Sequence, residues 1–278
     1  MKDLKRTLYQ ECHGRNLAER KRWYSRSADA YQQARPRYPQ ALIDRVVEIA
    51  QLSAESRLLE VGCGPAIATP AFADLGCRMH CLEPNPDFYR LAQPTLAAYP
   101  QVTLENRAFE EWPLQAGAFD AVLAASSFHW IPPEVGYAKA AATLRPEGYL
   151  ILLWNKELQP SYEVYQQLAP VYAAIAPTIT RTYEDPTSQT AILQQLGDMA
   201  LESGHFQDIV SGEFIGEVTY SIDRYLLLLN TYSPFFRLSY EERQRLFAGL
   251  RQVLEQSGNT IQLTHVSMFH VACPKPAT

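Results

Sequence analysis

What this sequence lacks excludes several classes of protein. Its five cysteines contain no C-x-x-C pair, so the sequence predicts no disulfide framework. The histidines are scattered along the chain, and no metal site is predicted. No apolar run approaches the roughly 20 residues that a membrane-spanning helix needs, and the most apolar stretch is Leu226–Leu229. We therefore expect no bound metal and no stable insertion into a membrane.

The chain also lacks an excess of positive charge. Its formal net charge is −5 over 278 residues, which argues against a nucleic-acid surface, because phosphate binding requires a dense basic footprint. Residues 1–26 are basic but contain no apolar segment of the kind found in secretory signals. Together with the unpaired cysteines, this predicts a globular protein in the cytoplasm. The oligomeric state is left open.

The chain is organised around residues 57–83. Leu58, Leu59 and Val61 form a short apolar run, which is typical of a buried parallel strand. The run ends at Gly62-Cys63-Gly64, where glycine permits a tight turn and a close approach of the backbone to a ligand. This pattern predicts a strand followed by a ligand-binding turn.

A helix and a second strand are predicted after this turn. The helix is expected over Ala66–Leu75 and ends at Gly76, and the strand is expected over Cys77–Leu82. Glu83 follows the strand, about 20 residues after the glycines, which is the spacing at which a carboxylate can hold a ribose diol. The segment is therefore predicted to be a nucleotide-binding β-turn-α-β unit.

The turn departs from the dinucleotide-binding fingerprint because Ile67 replaces its third glycine, which disfavours a dehydrogenase. Glu60 lies two residues before Gly62, and Ala66 is a small residue inside the turn. The segment resembles motif I of the class I S-adenosylmethionine-dependent methyltransferases, with Ala66 in place of the last glycine. The alternative is an ordinary α/β unit whose glycines only turn the chain.

Two segments flanking the motif resemble the same family. Tyr31–Pro39 is similar to the leader that closes the cofactor pocket in methyltransferases of the type-11, UbiE-like small-molecule group. The resemblance implies that Tyr31 and Arg35 contact the cofactor, whereas the alternative is a rigid entry to a packing helix. Ala108–Leu114 is similar to the loop that cradles the adenine ring.

Strand four is predicted over Phe119–Ala125 and runs into Ser126–Pro132. In an open parallel sheet, ligands bind beyond the carboxyl ends of the strands, near the point where the strand order reverses. The Phe-His-Trp string of Phe128, His129 and Trp130 resembles the segment after motif II of a methyltransferase subgroup. We expect it to line the acceptor pocket, although a lone histidine is more often structural.

A further match is Leu144–Gly148, which resembles the family's turn before strand five. The second half of the chain departs from the minimal domain. Its patterns predict helices over Tyr162–Ala176 and Thr190–Ser203, two more helices within 221–256, and long strands over Phe206–Thr219 and Thr260–Ala272. Five tyrosines on these helices offer an aromatic lining for an acceptor pocket, or ordinary helix packing: Tyr162, Tyr165, Tyr172, Tyr225 and Tyr232.

The resemblance, which covers roughly residues 31–155, implies an α/β fold with a doubly wound, Rossmann-like sheet. We expect seven strands, mostly parallel, with an antiparallel last strand. Residues 1–30 are expected to form an N-terminal arm or lid, and 31–278 the methyltransferase domain. Helical cap insertions are expected at about 158–200 and 221–257.

The implied activity is methyl transfer from S-adenosyl-L-methionine to a small-molecule acceptor, with S-adenosyl-L-homocysteine as product. Alternatives are a cyclopropane-synthase-like modification of lipids and a non-catalytic protein that binds the cofactor. The resemblance implies that the cofactor contacts are Tyr31, Arg35, Glu60, Gly62, Cys63, Gly64, Glu83, Pro84, Phe109, Glu110 and Ser126. The acceptor contacts are expected at Phe128, His129 and Trp130, with His129 as a general base if the acceptor must lose a proton.

Overall fold

The structure is a computed structural model and describes residues 12–179 and 181–276; residues 1–11 of the predicted N-terminal arm lie outside this part. The strands are β1 (Arg57–Val61), β2 (Arg78–Leu82), β3 (Val102–Glu105), β4 (Phe119–Ala125), β5 (Leu144–Asn155), β6 (Gln159–Pro160), β7 (Phe206–Ser221) and β8 (Thr260–Pro274). The helices are α1 (Leu17–Arg22), α2 (Ala28–Ala34), α3 (Gln40–Ile49), α4 (Thr69–Ala73), α5 (Pro86–Leu96), α6 (Pro133–Thr143), α7 (Tyr162–Ile175), α8 (Pro186–Glu202), α9 (Ile222–Leu229) and α10 (Tyr240–Glu255).

The strands form one sheet in the order β3-β2-β1-β4-β5-β8-β6, with β7 paired to β8. Strands β1 to β5 are parallel, whereas β8 runs antiparallel to β5, β6 and β7. The predicted Rossmann-like sheet with antiparallel C-terminal strands is therefore confirmed, and the short β6 brings the strand count to eight. The strand order reverses between β1 and β4, which places the ligand-binding crevice at their carboxyl ends.

The two faces of the sheet bury different cores because successive strand residues point to opposite sides. Leu59 and Val61 join one core, together with residues of α6 and α8. Leu58 joins the other, which contains Ile43 of α3 and Phe72 of α4. The third core lies among α7, α9 and α10 and the ends of β7 and β8. We call the helices α7, α9 and α10, together with this core, the cap.

The first helix after the glycine turn is shorter than predicted. It spans only Thr69–Ala73, not Ala66–Leu75, because Ala66 has a φ of 62° and cannot belong to a right-handed helix. The segment Leu144–Gly148, predicted as a turn before strand five, lies within β5. The pairing of β4 with β5 is irregular there: Phe119 pairs with Leu144, and Ala121 pairs next with Tyr149.

Helix α8 does not belong to the cap, although the sequence predicts a cap insertion over 158–200. Its Leu193, Leu196 and Ala200 pack into the core on one face of the sheet. In the described parts of the chain, 12–179 and 181–276, every helix is too short or too polar to cross a membrane.

Candidate active site

A cleft with an empty volume of about 1160 Å³ lies at the carboxyl ends of β1 and β4. The glycine turn after β1 lines this cleft, and so do residues 83–85 and 108–110. Side chains of residues 17–38 and of the segment after β4 complete the enclosure. The cleft therefore occupies the switch point at which α/β sheets bind ligands.

Glu83 is held at this cleft by two backbone hydrogen bonds. Its carboxylate accepts the N–H of Gly64 and the N–H of Asn85, both at 2.7 Å. Burial raises the pKa of Glu83 to about 7, although these two donors oppose the shift. Each carboxylate oxygen keeps a further lone pair, so Glu83 can still accept hydrogen bonds from a ligand.

The glycine turn has a left-handed backbone that brings the chain against the cleft. The φ values are +69° at Gly62 and +58° at Gly64. A Cβ at Gly62 would lie 2.8 Å from Cβ of Ser127, whereas a Cβ at Gly64 would meet nothing within 4 Å. Gly62 is therefore required by the close approach of two loops. Gly64 leaves open space in the cleft that a ligand can use.

Glu60 does not line the cleft, unlike the other predicted cofactor contacts. Because side chains alternate along β1, it points to the sheet face opposite Leu59 and Val61. One carboxylate oxygen of the fully buried Glu60 accepts the Cys81 thiol at 3.5 Å, and the other has no partner. Burial raises the pKa of Glu60 to about 7.

The cleft brings together the ten remaining residues that the sequence predicts as cofactor contacts. They come from the leader, the turn, the end of β2, the loop before β4 and the end of β4. These lining residues are Tyr31, Arg35, Gly62, Cys63, Gly64, Glu83, Pro84, Phe109, Glu110 and Ser126.

The loop of residues 108–112 is fixed from two sides. The Nζ of Lys139 donates to the carbonyl of Phe109 at 2.7 Å and to that of Trp112, while the Phe109 and Trp112 rings stack 6.3 Å apart. Glu110 forms an ion pair of 2.8 Å with Arg20 of α1. This ion pair ties the N-terminal segment to the loop across the cleft.

The Phe-His-Trp string forms a 3₁₀ turn over Phe128–Trp130. With three residues per turn, successive side chains point about 120° apart, so they cannot all face one cavity. Trp130 lines the cleft, whereas Phe128 and His129 do not. Phe128 is buried in the core beside Tyr137.

His129 is half-buried and packs against another ring. Its ring centroid lies 5.5 Å from that of Trp154, and its Nδ1 is buried without a hydrogen-bond partner. Burial, with a smaller contribution from the neighbouring His13, lowers the pKa of His129 to about 4. A histidine of this pKa is neutral at pH 7 and a weak proton acceptor.

An aromatic wall of the cleft joins the predicted Tyr31 and Trp130 to two rings that the sequence analysis does not predict, Tyr24 and Phe88. The ring of Tyr24 lies 5.9 Å from Phe88, 5.6 Å from Trp130 and 5.5 Å from Tyr31, by centroids. Tyr38, also unpredicted, bonds Oγ of Ser126 at 2.8 Å. Only the repeated aromatic residues of 23–38 could have indicated such a wall.

None of the five cap tyrosines lines this cleft. Tyr172, Tyr225 and Tyr232 are buried in the cap core, whereas Tyr162 is half-exposed and packs on Tyr165. Helix packing therefore accounts for most of them.

Comparison with known proteins identifies the domain. Residues 59–152 match a family described as a methyltransferase domain. An uncharacterised methyltransferase of Mycobacterium tuberculosis is 32% identical over 132 residues, which are 48% of this chain and 51% of that protein. A methyltransferase-like protein of Schizosaccharomyces pombe is 22% identical and aligns over 89% of this chain and 93% of its own. The match therefore spans about half the length of the mycobacterial relative.

The fold agrees with these matches. The structure of a putative type II methyltransferase from Anaeromyxobacter dehalogenans superposes with a TM-score of 0.63 at 19% identity, covering 85% of this chain and 97% of that chain. The predicted resemblance to a methyltransferase domain is confirmed over residues 59–152, and a domain of this family implies S-adenosylmethionine as its cofactor. The residues present fit this cofactor, because a carboxylate with spare lone pairs stands beside a turn in which a Cβ would project into open space.

Proposed function

We propose that the protein transfers a methyl group from S-adenosylmethionine to a small-molecule acceptor. The observation that carries this proposal is the hydrogen bond between the Glu83 carboxylate and the Gly64 amide. It joins the acid after β2 to the glycine turn after β1 at the switch point, where both can contact one nucleoside. The aromatic wall of Tyr24 and Trp130 then encloses the space beyond.

Each part of the cofactor has a fitting counterpart in the cleft. Glu83 accepts the ribose hydroxyls, and the turn at Gly62 and Gly64 approaches the methionine portion. The backbone of Phe109 and Glu110 can meet the edge of the adenine, while the Phe109 ring, buried against Trp112, supports the loop from the core side. These assignments are supported by the position of each residue in the lining.

When bound, the cofactor supplies a methyl group on a positively charged sulfur, which leaves as the thioether S-adenosylhomocysteine. The chain's own residues align the acceptor and exclude water. Trp130 and Tyr24 do this from the cleft wall. No proton acceptor is assigned, because His129 lies outside the lining and has a pKa of about 4. An acceptor atom that is already anionic requires none.

We further propose that the protein acts in the cytoplasm and binds no nucleic acid. Cys63, Cys77, Cys81 and Cys273 are unpaired thiols, which supports a reducing compartment. The net charge of −5 supports an acceptor other than nucleic acid.

The test compares two glycines of equal backbone strain. Gly64 and Gly117 both have φ near +60° and open space at the Cβ position, but only Gly64 lines the cleft. We expect Gly64→Val to abolish binding of S-adenosylhomocysteine in calorimetry, while Gly117→Val binds like the wild type.

A second readout tests catalysis. Wild-type protein is incubated with methyl-labelled cofactor and a metabolite extract, and the label is followed by mass spectrometry. We expect a methylated small molecule that Gly64→Val does not produce. Binding of the cofactor without labelled product would favour a non-catalytic protein, and equal binding by both glycine variants would contradict the proposed site.

A further inference from the structure

Two arginines lie against one tyrosine ring where the cap meets the cleft. The Cζ of Arg35 is 4.4 Å from the ring centroid of Tyr232, and the Cζ of Arg181 is 5.9 Å from it. Arg35 lines the cleft. Arg181 therefore shares an aromatic neighbour in the cap, Tyr232, with a residue that lines the cleft.

Arg181 is held firmly but is incompletely bonded. Its side chain is only 10% exposed, and the Nη1 is buried without a hydrogen-bond partner. Its backbone carbonyl accepts the hydroxyl of Tyr165 at 2.9 Å. The Oη of Tyr172 is also buried without a partner, and the Tyr172 ring centroid lies 5.9 Å from the Arg181 Cζ. The two side chains also interact with each other, but neither the Arg181 Nη1 nor the Tyr172 Oη completes a hydrogen bond of good geometry.

The charges around this site leave an excess of one positive unit. Among the described residues, Glu157 is the one carboxylate within ion-pair distance of Arg181; its side chain is 39% exposed and stands 4.0 Å from Nη2. Arg35 donates instead to the neutral Thr231, to its Oγ1 at 2.9 Å and to its carbonyl at 3.0 Å. The neighbouring Lys156 is already paired with Glu184 at 2.7 Å.

Burying these polar groups without hydrogen-bond partners destabilises the fold unless a ligand bonds to them. A buried donor without a partner costs about 1–3 kcal/mol, and more when the group is charged. The Arg181 guanidinium can only donate, and the Tyr172 hydroxyl can donate as well as accept, so an anionic acceptor placed between them can bond to both. One surplus positive charge matches a monoanion such as a carboxylate better than a doubly charged phosphate, and a carboxylate offers two oxygens for two donors.

We propose that Arg181 and Tyr172 bind a carboxylate of the methyl acceptor, with Arg35 holding the adjoining part of the molecule in the cleft. This proposal rests on the methyltransferase function proposed above and deepens it, because it makes the acceptor an organic acid. The carboxylate bound here is a recognition group, and the atom that receives the methyl group lies in the cleft beside Trp130.

The anion site can be tested without knowing the acceptor. Crystals of the full chain are soaked in bromide, whose anomalous scattering identifies a bound anion. We expect a bromide peak within hydrogen-bond distance of Arg181 Nη1 and Tyr172 Oη, and a weaker peak in Tyr172→Phe. A non-anomalous water at this position, or no density at all, would overturn the proposal.

A kinetic test separates the acceptor's carboxylate from a merely structural ion. A metabolite extract is divided by anion exchange into anionic and neutral fractions, and each is incubated with methyl-labelled cofactor. We expect the label in the anionic fraction. Arg181→Met and Tyr172→Phe should each need about 10- to 100-fold more of that fraction for half-maximal labelling. Their maximal rate and their affinity for S-adenosylhomocysteine should not change.

Matched controls lie outside the cap site. Arg224, which is exposed and stacks on Tyr220, is replaced by Met; Tyr99, whose hydroxyl bonds Asp74, is replaced by Phe. Both variants should label like the wild type. Label in the neutral fraction, or equal labelling by Tyr172→Phe and Tyr99→Phe, would refute the acceptor site. If the wild-type protein does not bind S-adenosylhomocysteine, the proposed function is refuted instead. The bromide result would still decide whether the anion site exists.

Discussion

The two sides of the cleft are built from different parts of the chain. The side assigned to the cofactor consists of strand ends and backbone: the carboxylate of Glu83 is fixed by the amides of Gly64 and Asn85. The side assigned to the acceptor consists of side chains from the N-terminal segment and the 3₁₀ turn, with the cap behind them. Substitutions should therefore damage cofactor binding on the first side and acceptor selection on the second.

The difference also lies in how completely each side is bonded. Both oxygens of Glu83 have backbone donors at 2.7 Å, whereas Arg181 Nη1 and Tyr172 Oη have no partner. A fully bonded site is preorganised for its ligand, because few groups must move on binding. The acceptor side depends on its ligand to satisfy buried groups, and this dependence can make it selective.

Of the substitutions that test this difference between the two sides, Glu83→Ala is expected to have the largest effect on ligand affinity. Glu83→Ala removes the charged acceptor for the ribose hydroxyls and should weaken S-adenosylhomocysteine binding by about 1.5–3 kcal/mol. Glu60→Gln is the matched control, because both acids are buried with a pKa of about 7 but only Glu83 lines the cleft. Calorimetry giving the two variants equal affinities would remove Glu83 from the site.

The pKa of Glu83 makes cofactor binding dependent on pH. The ribose hydroxyls donate best to the ionised carboxylate, and below its pKa of about 7 the free protein holds a proton there. Affinity for S-adenosylhomocysteine should therefore fall by up to about tenfold per pH unit below pH 7. Titrations between pH 5.5 and 8 measure the slope, and Glu83→Gln should flatten it. A slope unchanged in that variant would assign the proton to another group.

Glu60 should affect the stability of the fold, whereas Glu83 should affect cofactor binding. Its pKa is about 7 when folded and about 4.3 when unfolded, so between these values only the folded protein holds the proton. Its contribution is fully present below pH 4.3 and is lost as the pH rises through 7, up to about 3.7 kcal/mol. Urea unfolding of Glu60→Gln should show a flatter dependence on pH than the wild type. Parallel curves would mean that Glu60 is ionised throughout.

The smallest effect on turnover is expected from His129. Its ring packs on Trp154 and has a pKa of about 4, so His129→Ala should lower stability through lost packing while turnover stays within a few-fold of the wild type. Rates and urea unfolding of this variant separate the two roles. A loss of 10²–10⁴-fold with an altered pH profile would restore the general base that the sequence suggests.

The two sides of the cleft also differ in how far they can be predicted from the sequence. The cofactor side follows from local patterns, because an apolar strand, a glycine turn and an acid about 20 residues later define it within one continuous segment. The inward direction of Glu60 could have been foreseen from the alternation of β1. The position of His129 could not, because nothing in the string Phe-His-Trp shows which residue of a 3₁₀ turn will face the cleft.

The acceptor side depends on contacts between distant parts of the chain. Arg35, Tyr172, Arg181 and Tyr232 meet only when the cap has packed, and Arg181 lies in a segment without helical or strand periodicity. The sequence offers the cap tyrosines as an acceptor lining or as helix packing, and it gives no indication of the arginine that the proposed anion site requires. Long-range packing of this kind leaves no local signal.

A crystal structure with S-adenosylhomocysteine tests the central claim most directly. We expect both ribose hydroxyls within hydrogen-bond distance of the Glu83 carboxylate, and the methionine portion lying over Gly62 and Gly64. The adenine should contact Phe109, and the sulfur should face Trp130. A nucleoside bound elsewhere, or one whose ribose does not reach Glu83, would contradict the account.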